Sequence, residues 1–231
     1  MNTTKMLTHV RCELALHQLR DADGLPLLLL HGLGERTPAE VPSIFEEWRG
    51  PIWGLDFTGH GASSRTPGGG YTAEILMADV DVALAELGKV AIVGRGLGGY
   101  IGLLIAGARP ELVSGLVICD GPGLAGGGPT PHSPAVISPP STSPAALPSV
   151  LPSTTSGPEN PDPFALVELA TDVRPDDYAT TYARQAVQFS GLEAPITIAA
   201  VVRPSWLAAV AAEPGVVTKT LSQGLERYWQ P

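Results

Sequence analysis

Between Leu25 and Asp120, short and wholly apolar runs alternate with longer segments of helical period, and glycine clusters follow most of the runs. Leu27–Leu30 ends at His31-Gly32, Pro51–Leu55 at Asp56, Lys89–Val93 at Gly94, and Val113–Cys119 at Asp120. Short strands that are apolar on both sides belong to a parallel sheet with helices on both faces. Crossovers in such a sheet are right-handed. The expected fold is therefore α/β, a mostly parallel, doubly wound sheet. The intervening helices are read at Pro38–Trp48, Thr72–Leu87 and Leu97–Ala108. The second has Thr72 as N-cap, Glu74 at the positive N-terminal end and Gly88 at its stop. Farther on, Pro163–Ser190 reads as helix in two pieces, Ala194–Val202 as a buried strand and Ser205–Ala212 as a short helix. Gly215–Leu221 reads as a last strand and Leu225–Trp229 as a final turn.

The 231 residues fit one domain, 1–231. Lys and Arg number 14 against 23 Asp and Glu, a net charge of −9, which argues against nucleic acid and anionic membrane as partners. The two cysteines, Cys12 and Cys119, read as free thiols of a cytoplasmic protein. Met1–Arg11 has no apolar core of a signal peptide, and Leu25–Leu30 is too short to span a bilayer. No His/Cys/Asp group has metal-ligand spacing, so neither metal nor cofactor is expected. Residues 121–163 interrupt the α/β pattern with 12 prolines, a density that no regular helix or strand survives. They read as an extended insert over the carboxyl end of the sheet, as a plain linker, or as a partner-binding arm. A homo-oligomer is compatible with everything above.

Ligands of open α/β sheets bind beyond the carboxyl ends of the strands. Three glycine clusters stand there in succession: His31-Gly32-Leu33-Gly34, Asp56-Phe-Thr-Gly-His-Gly-Ala-Ser63, and Gly94-Arg95-Gly96-Leu97-Gly98-Gly99. In this order, the region Leu25–Asp120 resembles the α/β-hydrolase fold. The resemblance implies that the His31-Gly32 turn supplies one oxyanion amide, at Leu33. It also implies that Gly94–Gly98 is the nucleophile elbow, with Leu97 N–H as the second amide. The proline-rich segment then takes the place of a helical cap.

The elbow departs from the family pattern. Where G-x-S-x-G places the nucleophile, this chain has Gly96, which cannot form a covalent intermediate. The family order also places the catalytic His after the acid, yet no histidine follows His132. After Ile196–Val202 the chain reads Arg203-Pro204-Ser205, without the usual acid. The leading expectation is a degenerate site without triad chemistry that binds a small apolar or carbonyl-containing ligand at Leu33, Arg95, Gly96 and Leu97. An active hydrolase or lyase using water, with His60 or Asp120 as base, is one alternative. A dinucleotide-binding oxidoreductase is another, because Gly94-x-Gly96-x-x-Gly99 follows a strand and opens a helix. The plain roles are surface pairing for Arg95, backbone hydrogen bonding for His31 and His60, and capping of the Gly121-Pro-Gly loop for Asp120.

Overall fold

Four consecutive leucines, 27–30, leave a strand no polar face, and the chain buries all of them. The computed structural model describes residues 3–131 and 160–229. In it β3 (Leu27–Leu30) lies parallel between β4 (Ile52–Leu55) and β5 (Val90–Arg95). Parallel strands β6 (Val113–Cys119), β7 (Ile196–Ile198) and β8 (Val216–Thr218) extend the sheet on one side. On the other side stand two antiparallel strands, β2 (Cys12–Arg20) beside β4 and β1 (Thr3–His9) outermost. The described residues thus form one sheet in the order β1-β2-β4-β3-β5-β6-β7-β8. The helices are α1 (Ala73–Leu87), α2 (Leu97–Ala108), α3 (Pro163–Thr171), α4 (Asp176–Phe189), α5 (Ser205–Ala211) and α6 (Leu221–Tyr228).

Successive side chains of a strand point to opposite faces, and two cores result. Leu28, Leu30, Ile92, Leu116 and Ile118 meet Leu76 and Val80 of α1, Tyr100 and Leu104 of α2 and Ala183 of α4. Leu27, Leu29, Val93 and Val117 meet Phe45, Trp48 and the α6 residues Leu221, Leu225 and Tyr228. Burial of each large apolar side chain contributes about 1.5–3 kcal/mol, and helices on both faces follow from that. The close seating of α2 depends on Gly98, where a Cβ would lie 2.4 Å from the Leu30 carbonyl oxygen.

Thr72 caps α1 as expected, its hydroxyl accepting from Ile75 N–H. Several boundaries differ. The helix expected over Pro38–Trp48 is a 3₁₀ turn at Ser43–Phe45, because Pro38 and Pro42 lack the amide that a continuous helix needs. The strand expected over Ala194–Val202 is confined to β7, and that over Gly215–Leu221 to β8. Leu221 instead opens α6, capped by a reciprocal Thr220–Gln223 box. The hairpin β1–β2 had no counterpart in the sequence reading. Its outer strand is mostly exposed and carries no apolar run, and its turn contains Val10 at φ 57° in place of a glycine or asparagine. Of the insert, residues 121–131 and 160–163 are described, while 132–159, with His132, lie outside the described residues.

Candidate functional site

Gly96 joins β5 to α2 at φ 55°, ψ −119°, a region costly for any residue with a side chain. A Cβ on Gly96 would lie 2.1 Å from Pro122 O and 2.6 Å from Gly121 C. Backbone therefore fills the space into which a nucleophile would project. Pro122 O in turn accepts two hydrogen bonds, from Leu33 N–H at 3.0 Å and from Leu97 N–H at 2.9 Å. These are the two amides expected of an oxyanion site. They converge on one oxygen, and that oxygen belongs to the chain itself. Leu33, Arg95, Gly96 and Leu97 are thus brought together, with the Gly121–Pro122 peptide lying across them. The next α2 amides are also engaged, Gly98 N–H with His31 O and Gly99 N–H with Gly96 O.

Arg95 is committed to neighbours. Its Nε donates to both Glu35 carboxylate oxygens at 3.0 Å and its Nη1 to Asp120 O. Glu35 Oε2 also accepts from Gly32 N–H. The pair therefore stitches the His31-Gly32 turn to the end of β5, and its charges cancel locally. The Asp120 carboxylate accepts from Val201 and Val202 N–H at 2.7 and 2.9 Å. It caps the connection after β7, where the sequence reading placed its capping on Gly121-Pro-Gly.

The His31 and His60 rings lie with centroids 5.0 Å apart, tilted by 49° to one another. Phe57 N–H donates to His31 Nε2, so the ring proton sits on Nδ1 and is donated to Gly32 O. Burial lowers the His31 pKa, against the pull of Asp56. Burial also pushes His60 down to about 3, with His31 adding to the effect. His60 Nδ1 meets Thr58 O at 3.3 Å, and its buried Nε2 has no hydrogen-bond partner among the described residues.

Two carboxylates hold the Asp56–Ser63 turn in place, each answered by a histidine from the N-terminal hairpin. Asp56 accepts from His17 Nε2 and from Thr37 and Ala62 N–H. Burial opposes its ionisation, but those donors and nearby His31 outweigh it and hold the carboxyl at about 2. Asp79 accepts from Thr58 N–H and Oγ1 and faces His9 Nδ1 at 2.7 Å. Its pKa is raised, because burial exceeds the effect of these donors.

Sequence reasoning did not identify Pro122, Glu35, Arg174 or Trp206 as parts of this site. Pro122 acts through a backbone carbonyl, which no residue identity announces. Arg174 and Trp206 reach the Gly121–Gly128 loop from across the fold, donating to Gly123 O and Leu124 O. Among the described residues, no group of three or more His, Cys, Asp or Glu could hold a metal ion, and no helix is long and apolar enough to cross a membrane.

A family model described as the alpha/beta hydrolase family matches residues 27–230. A serine hydrolase-like protein of Danio rerio is 32% identical over 103 residues, 42% of this chain and 31% of that one. An (E)-2-((N-methylformamido)methylene)succinate hydrolase of Acinetobacter baylyi is 26% identical over 107 residues, 46% of this chain and 41% of that one. The matched stretch thus spans less than half the length of either relative. The solved structure of a hypothetical protein from Pseudomonas aeruginosa PAO1 superposes with a TM-score of 0.61 at 17% identity, covering 97% of this chain and 96% of that one. That likeness is one of fold.

Proposed function

The chain belongs to the alpha/beta hydrolase family, and from that premise we propose that it is a non-catalytic member whose former oxyanion site binds a carbonyl group. One observation carries the reading: the Gly96 elbow has no nucleophile, and the place of one is taken by a carbonyl oxygen bonded to both Leu33 and Leu97 amides. Two convergent N–H donors need no nucleophile to recognise a carbonyl or carboxylate oxygen, since hydrogen bonding alone orients it. With Arg95 and Glu35 neutralising one another, the site favours a neutral, carbonyl-bearing small molecule with an apolar body.

Two competing readings are less well supported. A water-based hydrolase would need a general base with a pKa near the working pH. His60, held at about 3, is a weak base, and both oxygens of Asp120 are occupied by backbone donors. A dinucleotide pyrophosphate would need several free amides at the α2 N-terminus; Gly98 and Gly99 N–H are bonded within the elbow to His31 O and Gly96 O, so displacing Pro122 O would free Leu97 alone of these three.

The test is turnover of p-nitrophenyl butyrate and a short acyl thioester by the wild-type chain and by Gly96→Ser. Both are expected to match the buffer rate, because no histidine follows His132 to stand at the family's base position and the Gly121–Pro122 backbone leaves the new side chain no space. A nitrophenolate burst from G96S overturns the reading. So does wild-type turnover that Asp120→Asn or His60→Gln abolishes while Ser63→Ala leaves it intact.

A further inference from the structure

We propose that the Gly121–Gly128 loop is an intramolecular ligand of the Leu33/Leu97 amide pair, and that Arg174 is the latch setting how often that pair is free. The inference rests on the carbonyl-binding reading and adds to it a control element. Arg174 is fully buried. Its Nη1 donates to Gly123 O at 2.5 Å and Leu124 O at 2.6 Å, the two residues following Pro122. Trp206 Nε1 donates to the same Leu124 O at 2.9 Å. The backbone ties down the far end of the loop, with Gly127 N–H on Asp172 O and Arg174 N–H on Gly128 O. The Arg174 guanidinium lies 4.4 Å from the Tyr100 ring centroid, over a residue of α2 itself. One side chain thus couples the plug to the helix whose first amide it covers.

Among the described residues, Arg174 Nε and Nη2 are buried without a hydrogen-bond partner, so the hold of Arg174 on the loop runs through Nη1. Pro122 itself is exposed at the surface. Outward movement at Pro122 breaks the two amide contacts at its carbonyl oxygen, while Leu124, buried in the core, anchors the rest of the loop beside the latch. A carbonyl ligand then competes with Pro122 for the same two N–H groups. Its apparent affinity scales with the fraction of molecules in which the loop is out.

Amide hydrogen exchange read by NMR on the full chain tests this. Leu33 and Leu97 report the plug, and Gly98, bonded to His31 O at the same helix end, reports the elbow alone. Trp206→Phe and Arg174→Met are expected to speed exchange at Leu33 and Leu97, by at least tenfold in R174M, with Gly98 unchanged. N-acetylproline N-methylamide, which carries the carbonyl that Pro122 supplies, is expected to bind each variant more tightly than wild type by the factor by which exchange rises. Unchanged exchange at Leu33 and Leu97, or faster exchange without the matching gain in affinity, overturns the latch. If R174M loses Gly98 protection as well, it has unfolded and W206F decides by the same two readouts. Ester turnover by the wild-type chain would defeat the carbonyl-binding reading, a result separate from either outcome here.

Discussion

At Gly96 a side chain would meet two obstacles of different origin. One is conformational, a φ of 55° with ψ near −119°, and the other is steric, the Gly121–Pro122 backbone. The first alone costs about 1–3 kcal/mol. Gly96→Ala is therefore expected to destabilise the chain by at least about 2 kcal/mol, read as a lower urea midpoint. An unchanged midpoint would mean that the Gly121–Pro122 peptide gives way freely. At His17 the argument concerns a buried carboxylate. His17→Ala removes a donor from Asp56 and leaves an acceptor short of a partner, at a cost of about 1–3 kcal/mol. His17→Gln, whose amide nitrogen reaches a similar position, is expected to recover part of that loss in thermal unfolding. Neither residue's role is visible from its identity. That Gly96 breaks the elbow pattern is legible in the sequence; that Pro122 occupies the gap is not, because a carbonyl oxygen is common to every residue.

Among the elements, β5, α2 and β6 follow the sequence reading closely, since buried runs with glycine or proline at their ends leave few alternatives. β1 escapes it because an edge strand is paired on one side and wet on the other, so its composition stays polar. The turn from β1 to β2 is also atypical: Val10, 86% exposed, adopts φ 57°. A β-branched residue in that region costs about 1–2 kcal/mol. Val10→Asn is accordingly expected to raise the melting temperature by about 2–4 °C; no change, or a fall, would mean that this turn does not hold the strained conformation in solution. The hairpin bears on the site, because His9 and His17 brace Asp79 and Asp56 from it. The two helical pieces expected over Pro163–Ser190 are α3 and α4: α3 ends at Thr171, and α4 begins at Asp176 with Pro175 as its N-cap.

For the whole molecule, the buried histidines make stability depend on pH. An unfolded histidine titrates near 6.5, while His60 is held at about 3 and His31 is also lowered. Between 6.5 and about 3 the unfolded chain takes up a proton that folded His60 refuses, so stability falls as pH falls, by about 1.4 kcal/mol per pH unit for His60, and His31 acts in the same direction. Asp56 acts lower down. Its contribution is present above the ordinary carboxylate value near 3.8 and is lost as pH drops toward about 2. Urea midpoints should therefore decline from about pH 6.5, before most carboxylates protonate, and His60→Asn should flatten the slope. A flat profile down to pH 4.5 would contradict the buried neutral imidazoles. What the sequence by itself determined is the class of fold and the glycine at position 96 of the elbow, because apolar period and glycine position are properties of residues in order. Only the tertiary structure decided what fills that elbow and what holds it there. Pro122 and Arg174 meet the site through backbone carbonyls and a buried guanidinium brought in from distant segments, and such contacts depend on how the chain packs, a relation that local sequence pattern does not encode.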